Sequence, residues 1–229
     1  MHLTFQEFLS AKFVAHLLNG GAAELGAWLQ ACAGDSWWSQ VLLMIFEILS
    51  SDQRPMKDSQ RQVFDALLDT LADDPQAQLH EGDTAELSYH QSMTTKVGMT
   101  YPVIVQELTA THATVGNEES KMARPLKVPR AVVKLPATGT GVLLLAAGRA
   151  GATVVAAGLL RRGIHLGIVD ADQNTTLHLA IENGHADCAL VLVDLGYVED
   201  PLAGTVRGAS CTPTCLAAAC SLAVVVRKV

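Results

Sequence analysis

Two stretches of this chain match each other at an offset of 33 residues, and that period constrains the fold more than any other feature of the sequence. The later stretch runs Asn174-Thr175-Thr176-Leu177-His178-Leu179-Ala180-Ile181-Glu182-Asn183-Gly184-His185, continues through an apolar run from Ala189 to Leu195, and closes at Gly196. In the earlier one, Gly141 to Gly151 leads into Val154 to Leu160 and closes at Gly163. Leu177 overlays Leu144, Ala180 overlays Ala147, Gly184 overlays Gly151, and Gly196 overlays Gly163. Leu177 and Ala180, three apart, share one face of a helix, and a small residue at Ala180 lets a neighbouring helix come close. Gly184 can end that helix in a left-handed backbone, and Ala189, Leu190, Leu192 and Val193 make a second, amphipathic helix. A unit of this kind cannot bury its apolar face alone, so units stack, and about three are needed. A third begins at Thr212-Pro213-Thr214-Cys215-Leu216-Ala217, displaced by 37 residues, and stops at Val229 before its second helix is complete, so the chain is expected to be cut short.

At these residues the chain resembles the ankyrin-repeat family, whose signature is T-P-L-H-x-A followed by a Gly and a later Leu-Leu-x-x-Gly. Thr175 to Ala180 carry the match, with Thr176 where Pro is usual; in the earlier unit Val142 and Leu145 stand for the Thr and His, while Leu159-Leu160-Arg161-Arg162-Gly163 keeps the ending. The resemblance covers about residues 138–229. It implies an all-α stack of two or three units (137–169, 170–202 and a truncated 208–229), with Ile164 to Gln173 as a projecting hairpin and Thr175 with His178 as a polar brace. It also implies a non-catalytic adaptor or scaffold that binds a protein partner through hairpin tips and inner helices. The exposed candidates are Asp170, Asp172, Gln173, Asn174, Glu182 and Asn183; Asp170 also matches the family's turn Asp, a structural role. The alternative is the regulatory or terminal part of a larger enzyme or membrane-traffic factor.

Residues 1–75 read as about four short helices. Thr4 and Glu7 form a capping arrangement ahead of Phe5, Phe8, Leu9, Phe13, Val14 and Leu17, and Asn19-Gly20-Gly21 ends that helix. A second covers Ala22 to Ala31, a third runs from about Ser36 through Leu49, and a fourth follows Pro55 and carries Val63, Phe64, Leu67, Leu68 and Leu71 on one face. Phe13 to Asp35 hints at a degenerate repeat, and these helices could cap the first unit. With 49% hydrophobic but only 5% aromatic residues, the composition favours closely stacked helices over a sandwich or barrel. From Gln76 to about Pro136 periodicity fades; only Tyr101 to Leu108 suggests a strand or helical turn, so this stretch is expected to be an irregular linker.

Charge divides the chain in the same way. Residues 1–119 hold 16 acidic and 5 basic side chains, a balance of -11, whereas Lys121, Arg124, Lys127, Arg130 and Lys134 stand together without an acid. Pro125 and Pro129 interrupt this basic stretch, which reads as extended and solvated. It could touch an anionic membrane, but the acidic part would repel the same surface, and contact with that part or with water is the stronger expectation. The formal net charge of -7 argues against nucleic-acid binding.

No pattern for chemistry emerges. Five cysteines, with Cys211, Cys215 and Cys220 clustered, offer neither a disulfide framework nor a paired zinc spacing. His80, His90 and His112 lack the helical spacing of a metal site, His178 sits at the brace position, and His185 follows the helix-ending Gly as a solvent-facing residue. Gly139-Thr140-Gly141 lacks the Lys-Ser/Thr of a phosphate loop, and no G-x-S-x-G occurs. Neither metal nor cofactor is expected. Gly141 to Leu160 is long enough to span a bilayer but carries Arg149 near its middle, and the amino terminus has no basic n-region, so a cytoplasmic protein is expected.

Overall fold

The computed structural model describes Leu29 and residues 32–50, 58–88, 100–109, 112–116, 125–130 and 133–195. The expected helices before Leu29, the third unit at 208–229, Lys121, Arg124, His90 and the Cys211–Cys220 cluster lie outside the described residues.

Six α-helices among the described residues pack in three consecutive pairs: α1 (Ser36–Ser50) with α2 (Asp58–Ala72), α3 (Thr140–Ala150) with α4 (Thr153–Arg161), and α5 (Thr176–Glu182) with α6 (Ala186–Asp194). Helix α1 starts where the Asp35 carboxylate accepts from the Trp37 and Trp38 N–H groups, at 2.7 and 3.4 Å. It buries Val41, Leu42, Ile45, Phe46 and Leu49 at helical spacing. The Phe46 and Phe64 rings meet edge to face, 5.0 Å between centroids, and join α1 to α2. Helix α3 packs between α1 and α5 in an inner row, and α4 packs between α2 and α6 in an outer row. Gly151 (φ 70°) and Gly184 (φ 78°), 33 residues apart, make the left-handed turn inside the second and third pairs.

The expectation of an all-α protein with an irregular linker is overturned. Between α2 and α3 the chain builds β1 (Thr84–Ser88), β2 (Thr100–Leu108), β3 (His112–Gly116), β4 (Leu126–Pro129) and β5 (Val133–Pro136), and β6 (Ile168–Val169) joins them in a six-stranded mixed sheet of order β4-β3-β2-β1-β5-β6. All neighbours are antiparallel except β5 and β6. The strands are short and bury small aliphatic side chains in alternation: Ala85 and Leu87, Val103 and Val105, Ala113 and Val115. A scarcity of aromatics therefore did not argue against them, because burial on one face asks only for period two. Pro129 did not bar a strand either, since β4 lies at the sheet edge, where a residue without an N–H is tolerated.

The parallel pairing of β5 with β6 aligns Leu135 with Ile168 and Pro136 with Val169, each pair 33 residues apart. The 33-residue period thus extends from the helices into the strands that precede them, as expected when equivalent parts of successive units lie side by side. Two further ties bind the first helical pair to the second. The Asp74 carboxylate, just after α2, accepts from the Thr140 N–H at 2.7 Å and so caps α3, while the Thr140 hydroxyl donates to the Leu71 carbonyl at 2.6 Å. Arg162, at the end of α4, reaches back to Asp65 (3.0 Å) and Asp69 on α2. Burial alone would lower the pKa of this guanidinium, but the two carboxylates raise it.

Candidate protein-binding surface

The turn between β6 and α5 is built by Asp170. Its Oδ1 accepts from the N–H groups of Asp172 (3.0 Å) and Asn174 (2.8 Å), its Oδ2 accepts from the Asn174 side-chain amide (3.3 Å), and its backbone N–H donates to the Asn174 carbonyl (3.0 Å). Local bonds of this kind are why Asp is favoured in turns. They place Gln173 in the left-handed region at φ 64° and bring its amide to 3.5 Å from Glu86 on β1. Thr175 then caps α5: its hydroxyl accepts from the His178 N–H, and its own N–H donates to His178 Nδ1 at 3.3 Å. Nδ1 is therefore the unprotonated nitrogen of the neutral ring.

This geometry sorts the six candidate residues. Asp170 and Asn174 shape the turn, and Asn174 is buried. Asn183 caps α5 through a bond from its side-chain amide to the Leu179 carbonyl, 2.8 Å. Asp172 and Glu182 are exposed and Gln173 is half-buried. His185, expected to face solvent, is half-buried, with Nε2 3.1 Å from the Arg149 carbonyl, and ties the turn of the third pair to the end of α3.

Beside the Asp170 turn, a cleft of about 410 Å³ opens between α1 and α3. Its floor is Ala137, Val142, Leu145 and Ala146, and its rim is polar: Ser36 and Gln40 from α1, Arg149 and Asp170 opposite. Arg149 lies 3.9 Å from Asp170 as an ion pair. Of the six candidates only Asp170 reaches this cleft. The wall residues missed in the sequence, Val142, Leu145, Ala146 and Arg149, carry a legible signal, since their spacing of three and four places them on one stripe of α3.

The basic stretch does not act as one surface. Lys127 on β4 is exposed, but Arg130 is half-buried, with burial lowering its pKa, and Lys134 on β5 is 4% exposed and lies opposite Glu86 of β1. Cys32 and Cys188 are buried free thiols whose pKa values burial pushes up, the reverse of what a nucleophile needs. Among the described residues no three His, Cys, Asp or Glu side chains gather as a metal site, and no helix is long and apolar enough to cross a membrane. Gly141 to Leu160 is divided between α3 and α4, with a turn at Gly151. No family model matches the chain, and no curated protein or solved structure matches it either.

Proposed function

We propose that the chain is a non-catalytic, ankyrin-like interaction module that binds a protein partner across the Asp170–Asn174 turn and the inner helices α1, α3 and α5. One observation carries this reading: the 33-residue register that aligns β5 with β6 also lines up turn and inner helices, leaving an apolar-floored cleft with a polar rim next to the turn. An apolar centre with a polar rim is the general anatomy of a protein interface. Asp172, two residues past Asp170, and Glu182, at the end of α5, add exposed carboxylates outside that rim. Their exposure, with Asp170 and Asn174 holding the backbone beneath, suits recognition better than catalysis. Two buried free thiols agree with a reducing, cytoplasmic setting.

Site-specific photo-crosslinking tests the reading. A crosslinker at Ala146 or Asp172 is expected to capture a partner that one at Asp187, on the outer helix α6, does not. The combination Arg149→Glu, Asp172→Lys and Glu182→Lys should abolish that capture while leaving the circular dichroism spectrum and melting midpoint unchanged. Equal capture from both faces, or capture that survives the triple change in a folded protein, refutes the assignment.

A further inference from the structure

Where the sheet meets the helical stack, one imidazole is sealed inside the protein. His165 stands in the loop from α4 to β6 and is 2% exposed. Its backbone N–H donates to the Ala77 carbonyl (2.9 Å), at the end of the short 3₁₀ turn Pro75–Ala77 that follows α2. Its ring Nε2 lies 2.6 Å from the Val133 carbonyl at the start of β5. A carbonyl only accepts, so Nε2 carries the proton, and the neutral ring suffices for this bond. Two residues on, Gly167 packs so tightly that a side chain there would strike the Val133 carbonyl oxygen, and the Gly167 carbonyl accepts from the Leu135 N–H at 3.1 Å. Segments distant in sequence therefore converge on one residue, the 75–77 turn on its backbone N–H and β5 on its ring.

We propose that His165 is a proton-operated latch: neutral, it fastens β5 and the 75–77 turn to the loop after α4, and protonated, it releases that seam.

A second proton would place a cation in a site almost without water, where an uncompensated charge is costly. The charged groups that face the ring do not compensate it fully. Arg130, immediately after β4, opposes the added charge, and Asp83, immediately before β1, favours it. Asp83 is shared: its carboxylate accepts from the His80 N–H at 2.7 Å and stands 3.6 Å from the His80 ring. Lys134, next to Val133 on β5, is itself buried. The 75–77 turn has no ionisable side chain, and Asp74 before it is engaged by the Gln76 and Thr140 N–H groups. Burial above all, with Arg130, depresses the ring pKa to about 4, against the Val133 bond and Asp83. A released ring titrates near 6.5, so between pH 7.5 and pH 5.0 the opening equilibrium of the seam rises about 30-fold.

Hydrogen exchange at pH 7.5 and 5.0, corrected for intrinsic rates, reads this directly at the amides of Leu135, Ala137 and His165. The intact protein is expected to show the 30-fold rise, and His165→Gln, whose amide can still donate to Val133 but does not titrate, is expected to show none. His80→Gln should respond like the parent. A rise that persists in His165→Gln or vanishes in His80→Gln overturns the latch. So does seam exchange no faster at pH 5.0 than that of the Leu143–Ala147 amides of α3, because no local release has then occurred. If His165→Gln does not fold, nuclear magnetic resonance of the His165 ring in the parent protein decides: titration below pH 5 supports the latch, and titration near pH 6.5 removes it.

Discussion

Gln173 holds a backbone conformation that side chains resist. At φ 64° its Cβ crowds the following carbonyl, a cost of about 1–2 kcal/mol that glycine avoids. The Asp170 network enforces the conformation, and the Gln173 side-chain amide's hydrogen bond to Glu86 is long at 3.5 Å. Gln173→Gly is therefore expected to stabilise the protein by about 1 kcal/mol in urea denaturation, after allowing for the greater backbone freedom of unfolded glycine. A loss of stability would show that the Glu86 contact outweighs the strain. Asp74 makes the opposite case. It accepts from Thr140 on α3 as well as from Gln76 in its own turn, so one carboxylate caps a helix that begins 66 residues later. Asp74→Ala should cost about 0.5–2 kcal/mol, the usual range for losing a cap, while Asp74→Asn keeps an acceptor and should recover most of it.

At the scale of elements, two glycines report how closely the helices approach. A methyl group at Gly148 on α3 would stand 2.6 Å from the Thr176 carbonyl oxygen and 2.7 Å from its Cγ2, at the start of α5. One at Gly158 on α4 would stand 2.5 Å from the Cδ1 of Leu68, the far end of a side chain rather than backbone. Both substitutions gain about 1 kcal/mol of helix propensity, but only the first must move backbone, and overpacking of that kind costs about 1–3 kcal/mol. Gly148→Ala should thus lower the melting midpoint and Gly158→Ala leave it unchanged or raise it; the reverse order would contradict this packing. The helices are also where the sequence was most legible. The apolar stripe from about Ser36 through Leu49 marks α1, the stripe from Phe64 to Leu71 marks α2, and the overlay of Gly151 on Gly184 marks the paired turns, because glycine stops and period 3.6 are local signals. The sheet left weak traces. Five-residue strands such as Thr84–Ser88 offer two inward side chains each, and their pairing with partners far along the chain has no local signature. For the candidate surface, the turn could be located from its Asp-x-Asp-Gln-Asn run, whereas of the cleft only the α3 stripe of Val142, Leu145, Ala146 and Arg149 has a local signature, and the opposite wall has none. The cleft depends on α1 packing against α3, with α2 and strands β1–β5 between them in sequence.

For the molecule as a whole, sheet and helices share one continuous apolar core that runs from Val115 and Val128 through Leu135 and Leu144 to Leu192. A core without a break favours a single cooperative transition at neutral pH, with far-ultraviolet circular dichroism and tryptophan fluorescence coincident. That cooperativity ties the stability of the entire unit to His165, whose ring is neutral when folded. The sign follows from proton counts. The folded pKa is about 4, below the unfolded value near 6.5, so between these limits the unfolded chain binds more protons and acid favours unfolding. The stabilisation is complete above about pH 6.5 and is lost as pH falls toward 4. A difference of about 2.5 units corresponds to about 3 kcal/mol. Urea denaturation of the parent and of His165→Gln across pH 7.5 to 4.5 should therefore give curves that converge as pH falls, the parent losing stability more steeply because the variant lacks the titrating ring. Parallel curves would mean that His165 is protonated to the same degree in both states, and that the charge of this junction does not govern how tightly the sheet is held to the helices.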